Sequence, residues 1–325
     1  MISMRKELFW AGVIGISFGL IIGFGAWRVR SSMAPKEAPT PTPNSQSSVG
    51  QFMIAVNKPE NFDVVTSSSI GVSGITKPLT LVIISTEKGD YLTESLDDGT
   101  FSKEVDLVSG INSIKVSSIN LQGNVATQEI FAVYSASFQT PTDEDETVAQ
   151  KIAQAGNPPK AYIGTVTDIA DSTIQIKTTD RQIQQIETGG SGVVVVNTKG
   201  TNNKTVKLAD IAIGDFIVAM GYVDGDDVLD AQRILVTDSP VETKISVSIQ
   251  KVNDVTKKSL TLVSENEGQA TTITPDKNTS IESFSDGKIK QIKLTDISSS
   301  DTVVVVSDTT GTPALTRSLF NLEEE

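Results

Sequence analysis

Hydrophobic and polar positions fall into three regimes along this chain. Leu8 to Trp27 is a run of twenty residues without a charge. As a helix it would reach ~30 Å, the thickness of a bilayer core. Ser31 to Gly50 shows no apolar periodicity, holds four prolines and predicts an extended stalk. From Phe52 to Phe138 the pattern turns to short alternating runs. Residues 70–74, 79–84, 111–116 and 129–134 read as strands, and Asp97-Asp98-Gly99 and Gln122-Gly123-Asn124 read as hairpin turns. About seven strands in such a span predict an antiparallel sandwich. Residues 139–160 follow as a linker. Thr142 with Asp143 and Asp145 predicts a helix start, Val148, Ile152 and Ala155 give weak helical spacing, and Gly156-Asn157-Pro158-Pro159 stops it.

The last half of the chain repeats itself. Lys207-Leu208-Ala209-Asp210-Ile211 recurs as Lys293-Leu294-Thr295-Asp296-Ile297, 86 positions later. The same offset maps Val166 onto Val252, Asp168 onto Asp254, Asp215 onto Asp301, Val218 onto Val304 and Leu229 onto Leu315. An offset that holds without a shift predicts two copies of one unit, 161–238 and 239–325. Each copy reads as five or six short strands, which predicts a small closed or partly open barrel.

Two stretches resemble known modules. Gly74-x-Thr76, Asp98-Gly99-x-Phe101, Leu107-x-x-Gly110-x-Asn112-x-Ile114-x-Val116, Gly123-Asn124 and Val133-Tyr134 resemble a bacterial Ig-like domain of the glucodextranase B-domain type. The antibody-type Cys–Trp–Cys core is missing. The resemblance implies a sandwich used as a spacer, an adhesive module or an attachment to an envelope enzyme, with no catalytic residue. Gly164-Thr165-Val166-Thr167 and the Asp210–Gly221 stretch are similar to a β-barrel repeat of unknown function in exported bacterial proteins. The second copy departs from it, with Ser300 for Gly214 and Ser307 for Gly221.

The apolar run near the N-terminus decides the expected compartment. Trp10 and Trp27 lie where an aromatic belt would place them. Ala11, Gly15, Gly19 and Gly23 form a small-residue ladder that permits helix–helix packing and self-association in a membrane. A cleaved signal and a buried soluble helix are the alternatives, and the flanking Arg5, Lys6, Arg28 and Arg30 are too balanced to orient a span by charge. The expected division is a cytoplasmic N-terminus (1–7), a transmembrane helix (8–27), a stalk (28–50), an Ig-like sandwich (51–138), a linker (139–160) and the two repeats. The expected fold class is therefore all-β, an Ig-like sandwich plus two tandem small barrels, preceded by one transmembrane helix. The expected location is the cell membrane, single-pass, with residues after about 28 extracytoplasmic.

Composition narrows the chemistry. A net charge of −13 and a pI near 4.6 disfavour nucleic-acid phosphates as partners. The chain has no cysteine and no histidine, which removes disulfides, thiolate nucleophiles and Ser–His–Asp catalysis. Asp224-Gly225-Asp226-Asp227 is the densest carboxylate loop, so Asp224, Asp226 and Asp227 are the metal candidates, with calcium the ion they would take. A hairpin turn is the competing reading, because the second copy has Thr310-Gly311-Thr312 there. Asp97-Asp98-Gly99 likewise reads as a turn first, and the acids 143–146 read as a solvated helix start rather than a metal site. Gly189-Gly190-Ser191-Gly192 precedes a valine strand, not a helix, so it is no phosphate cradle. Asp210/Asp296 and Asp215/Asp301 are the acids kept in register, and turn or cap roles explain them better than glycoside hydrolysis does. With no Trp after residue 27, a sugar platform would rest on Tyr91, Tyr134, Tyr162 or Tyr222.

These readings predict a protein that is not an enzyme and has no cofactor other than the candidate calcium. Its expected role is surface display, spacing or adhesion at the bacterial cell envelope. The alternatives are an accessory subunit of an envelope complex or a cell-wall polysaccharide-binding or -acting module. Expected partners are the membrane, envelope proteins or cell-wall polysaccharide.

Overall fold

The chain divides at Gln51, and the unit Phe52–Glu325 contains all that follows. The computed structural model describes residues 52–138, 156–189, 192–200, 203–240, 242–264, 270–285 and 287–322. The first segment supplies β1 (Ala55–Lys58), β2 (Asp63–Val65), β3 (Ser69–Ile75), β4 (Leu81–Ser85), β5 (Asp90–Glu94), β6 (Thr100–Asp106), β7 (Gly110–Ile119) and β8 (Val125–Tyr134). The first repeat supplies β9 (Lys160–Ala170), β10 (Thr173–Lys177), β11 (Ile183–Glu187), β12 (Val194–Asn197), β13 (Lys204–Val206), the 3-10 turn η1 (Leu208–Asp210), β14 (Phe216–Val223) and β15 (Val228–Thr237). The second supplies β16 (Ile245–Val255), β17 (Leu260–Val263), β18 (Ala270–Ile273), β19 (Ser280–Ser285), β20 (Lys288–Gln291), η2 (Leu294–Asp296), β21 (Thr302–Asp308) and β22 (Leu315–Leu322).

Three hydrogen-bonded sheets result. A three-stranded sheet has the order β1-β3-β6. A twelve-stranded sheet runs β13-β12-β15-β11-β10-β9-β2-β8-β7-β4-β5, with β14 bonded to both β15 and β9. A seven-stranded sheet has the order β18-β17-β16-β21-β22-β19-β20. The twelve-stranded sheet crosses the 139–160 linker, because β2 pairs with β8 on one side and with β9 on the other.

β4 explains why the sheets stack as they do. All five of its residues are buried. Val82 and Ile84 join Val72, Phe101 and Val105 in the core beneath β3 and β6. Leu81 and Ile83 face the other way and join Val247, Phe284, Val304, Val306 and Phe320 of the second repeat. Farther along the same sheet, Val64 and Val133 pack against Val218, Met220 and Leu235 of the first repeat. A strand with both faces dry needs an apolar residue at every position, and Leu81-Val82-Ile83-Ile84 supplies it. Each fully buried aliphatic contributes about 2 kcal/mol.

These contacts correct the expected fold class. The protein is all-β, but residues 51–138 do not form a free two-layer sandwich. Their larger sheet is the middle layer of a solenoid-like stack, covered by β1-β3-β6 on one face and by both repeats on the other. The two repeats are not a pair of independent barrels either. In the first, the ladder returns on itself through β9-β10-β11-β15-β14. In the second it stays open, with β18 and β20 as its ends.

The single-pass anchor and the membrane location are corrected as well. Among the described residues no helix is long and apolar enough to cross a membrane. Residues 8–27, with the Ala11/Gly15/Gly19/Gly23 ladder, lie outside the described residues. So do 139–155, where a linker helix was expected; the chain is extended again by Lys160.

The two 3-10 turns recur at the 86-residue offset. η1 and η2 are capped alike: the Lys207 amide donates to Asp210 at 2.8 Å and the Lys293 amide to Asp296 at 2.9 Å. Asp215 accepts from the Ala212 amide and Asp301 from the Ser298 amide, both at 2.9 Å. The copies differ at their corners. A Cβ on Gly164 would lie 2.4 Å from the Lys177 carbonyl oxygen, and one on Gly221 would lie 1.9 Å from that of Asp230. At both places the backbone of the neighbouring strand comes closer than a side chain allows. The second copy has Gln250 and Ser307 there; it keeps register shifts at the equivalent points, but β18 and β22 are not paired as β11 and β15 are.

Candidate functional site

The sequence-predicted metal residues sit in the β14–β15 hairpin. Asp224 turns inward on its own loop: its Oδ1 accepts from the Asp226 amide at 2.9 Å and the Val228 amide at 3.0 Å. Asp227 holds a left-handed backbone, φ 59°, and its carbonyl accepts from the Tyr162 hydroxyl at 2.9 Å. The three carboxylates are thus neighbours in a turn, and one oxygen of Asp224 is already committed. Among the described residues no group of three or more Asp or Glu converges at metal-binding spacing. Asp98 likewise caps its own turn, accepting from the Thr100 amide and hydroxyl, which hold its carboxyl below the usual range.

A recess lies elsewhere, between β4, β7 and the second repeat. It is a cavity of about 200 Å³ lined by Ser85, Thr86, Glu87, Ser113, Lys115, Thr243, Ile245 and Arg317. β4 ends at Ser85 and its turn presents Thr86 and Glu87; β7 presents Ser113 and Lys115; β22 brings Arg317 across from the far repeat. The Arg317 Nη2 donates to the Thr86 carbonyl at 2.6 Å and its Nε to Asp90 Oδ2 at 3.3 Å. The Ser318 hydroxyl donates to the same Asp90 oxygen at 2.7 Å. The Asp90 side chain is only 1% exposed, and its Oδ1 has no hydrogen-bond partner among the described residues. Lys115 reaches the Thr243 carbonyl and lies 3.7 Å from Glu129.

Glu87 is exposed as a whole, yet its carboxyl is pushed above its ordinary value. Desolvation by the cavity wall is the main cause, opposed by the Ser113 amide, which donates to Oε1 at 2.8 Å. A second polar cluster ties the first segment to β9. Lys160 donates to Glu60 at 2.9 Å and to Asp63 at 2.7 Å, and Lys58 reaches Glu60 at 2.8 Å. These two hydrogen-bonded lysines pull the Glu60 carboxyl down to about 2.

Chemically, both clusters are connectors. Their charged groups bind main-chain carbonyls and opposite charges of another segment. None of the residues singled out from the sequence lines the cavity. Its signal in the sequence is faint: Glu87 and Asp90 flank the turn after the most apolar strand, and Arg317 is the lone arginine of residues 239–325.

No protein-family model matches the chain, and no curated protein matches it. Among solved structures, a tetra-tandem repeat in the extending region of a large adhesion protein is similar at 16% identity, with a TM-score of 0.22. That match covers 84% of this chain and 74% of the other. A Ca2+-stabilized adhesin that helps an Antarctic bacterium reach out and bind ice shares 15% identity over 85% of this chain and 75% of its own, TM-score 0.19. A 1.5-MDa bacterial ice-binding adhesin, solved for its retention at the host cell surface, shares 13% over 85% and 98%, TM-score 0.19. At such scores the backbones do not superpose as one fold, and no residue-level correspondence follows.

Proposed function

We propose that this chain is a non-enzymatic spacing and adhesion protein of the bacterial cell surface. The observation that supports the reading is the way its segments are locked together. Strand β4 of the middle sheet is buried on both faces, and β2–β9 pairing, the Lys160–Asp63 pair and the Asp90–Arg317 pair each join segments far apart in sequence. A body coupled at every junction transmits load without hinging, which is what a spacer requires. Composition agrees with export: no cysteine, no histidine, abundant Ser and Thr and an acidic balance.

The test is labelling of native cells with an antibody to residues 52–325, paired with surface-attachment assays of a strain lacking the chain. The reading expects label on intact cells and reduced attachment without the protein. Label that appears only after permeabilisation, with attachment unchanged, would overturn it.

A further inference from the structure

Two short stretches are basic in a chain of net charge −13. Residues 203–210 hold two lysines against one aspartate, and residues 287–296 hold three against one. Lys204 lies on the edge strand β13 and Lys207 caps η1. Lys290 lies on the edge strand β20 and Lys293 caps η2. All four residues are exposed.

The two pairs coincide at the 86-residue offset, Lys204 with Lys290 and Lys207 with Lys293. Residues 161–238 hold four further basic residues, Lys177, Arg181, Lys199 and Arg233, and none of these meets a basic residue 86 positions on. The local structure does not require the coincident lysines. At both turns the capping donor is the main-chain amide of Lys207 or Lys293, a group every residue but proline supplies. Lys204 stands across from Asn197 and Lys290 from Ser283, so neither faces a carboxylate on the neighbouring strand. None of the four enters an ion pair among the described residues, whereas Lys199 nearby is held by Asp215 at 2.8 Å. A lysine on an edge strand guards it against pairing with other strands. That accounts for Lys204 and Lys290 but not for Lys207 and Lys293, which lie past the strands.

We propose that Lys204 with Lys207, and Lys290 with Lys293, bind an acidic polysaccharide whose carboxylates supply the partners the protein does not. The inference names a class of partner for the adhesive reading and rests on that reading for the location of the chain. Charge complementarity selects an anion, because these ammonium groups are exposed point charges with no carboxylate of their own. Charge density selects a polysaccharide over nucleic acid. Duplex DNA carries one charge per about 1.7 Å, and a body of net charge −13 repels so dense a polyanion. Neither basic stretch holds an aromatic ring or an arginine on which a base could stack. Two patches on one protein also let two stretches of polymer be held at once, which strengthens attachment to a surface that displays many.

The test is titration of full-length protein, in mild detergent, with polygalacturonate, neutral dextran and duplex DNA. Wild type is expected to bind polygalacturonate, more weakly as salt rises, and not to bind dextran. Changing all four lysines to Gln is expected to weaken binding at least about tenfold with unchanged circular dichroism. The control is Lys257→Gln with Lys258→Gln, exposed lysines of the β16–β17 turn that match Asp171 and Ser172 at the same offset. That variant carries a smaller change of net charge and is expected to bind as wild type does. No binding of polygalacturonate, an equal loss in the control, or tighter binding of DNA would overturn the proposal. Failure of the titration with label still present on intact cells would overturn this inference alone. Absence of that label would overturn the surface reading beneath it.

Discussion

At the scale of single residues, the junctions depend on a few buried polar groups. Asp90 meets Arg317 and Ser318 from 227 and 228 positions away, in a setting where its side chain is almost wholly dry. Removing one partner of such a pair strands the other charge. Arg317→Met is therefore expected to cost about 3 kcal/mol in denaturant unfolding, and adding Asp90→Asn to recover most of it. Glu87 sets a pH dependence of unusual sign. Its folded carboxyl sits above the ordinary 4.5, so the folded state holds its proton more tightly than the unfolded chain. Stability contributed there is present below 4.5 and falls as pH rises through the raised value. Melting curves against pH should show that fall in wild type and lose it in Glu87→Gln. Ser300 replaces a repeat-1 glycine at a left-handed backbone position, φ 81°, where Gly214 has φ 95°. Ser300→Gly is expected to stabilise by about 1 kcal/mol, read as a raised melting temperature.

At the scale of elements, the strands and the two like 3-10 turns were legible from the sequence because both leave local marks. The Lys-Leu-x-Asp-Ile repeat marks the 3-10 turns, whose aspartates cap them as turn chemistry requires. The apolar run of β4 announces a buried strand, but it could not say what would cover the second face; that depends on Val304 and Phe320, more than two hundred residues on. The close approaches at the corners were illegible for a different reason. The glycines were visible, but their effect lies in a carbonyl less than 2.5 Å from an absent Cβ, which spacing does not reveal. The corner argument predicts that Gly221→Val breaks closure of the first repeat, because the added Cβ meets a backbone oxygen that cannot swing away. Amide exchange should then rise along β11 and β15, with little change in β17 and β21. The cavity was hidden in the same way as those approaches: nothing local links Glu87 and Lys115 with Arg317.

At the scale of the whole molecule, the described segments act as one coupled body. Apolar contact joins the middle sheet to each repeat, and an ion pair or shared ladder reinforces both junctions. Independent modules on linkers would each keep a solvated surface between them; here those surfaces are the core. The spacer reading depends on this coupling more than on any single residue. Differential scanning calorimetry of the full chain tests it most directly. The account predicts one dominant transition for residues 52–325, with van't Hoff and calorimetric enthalpies in agreement. Two or three separable transitions, unmoved by Arg317→Met, would show that the segments fold and yield independently and would contradict it.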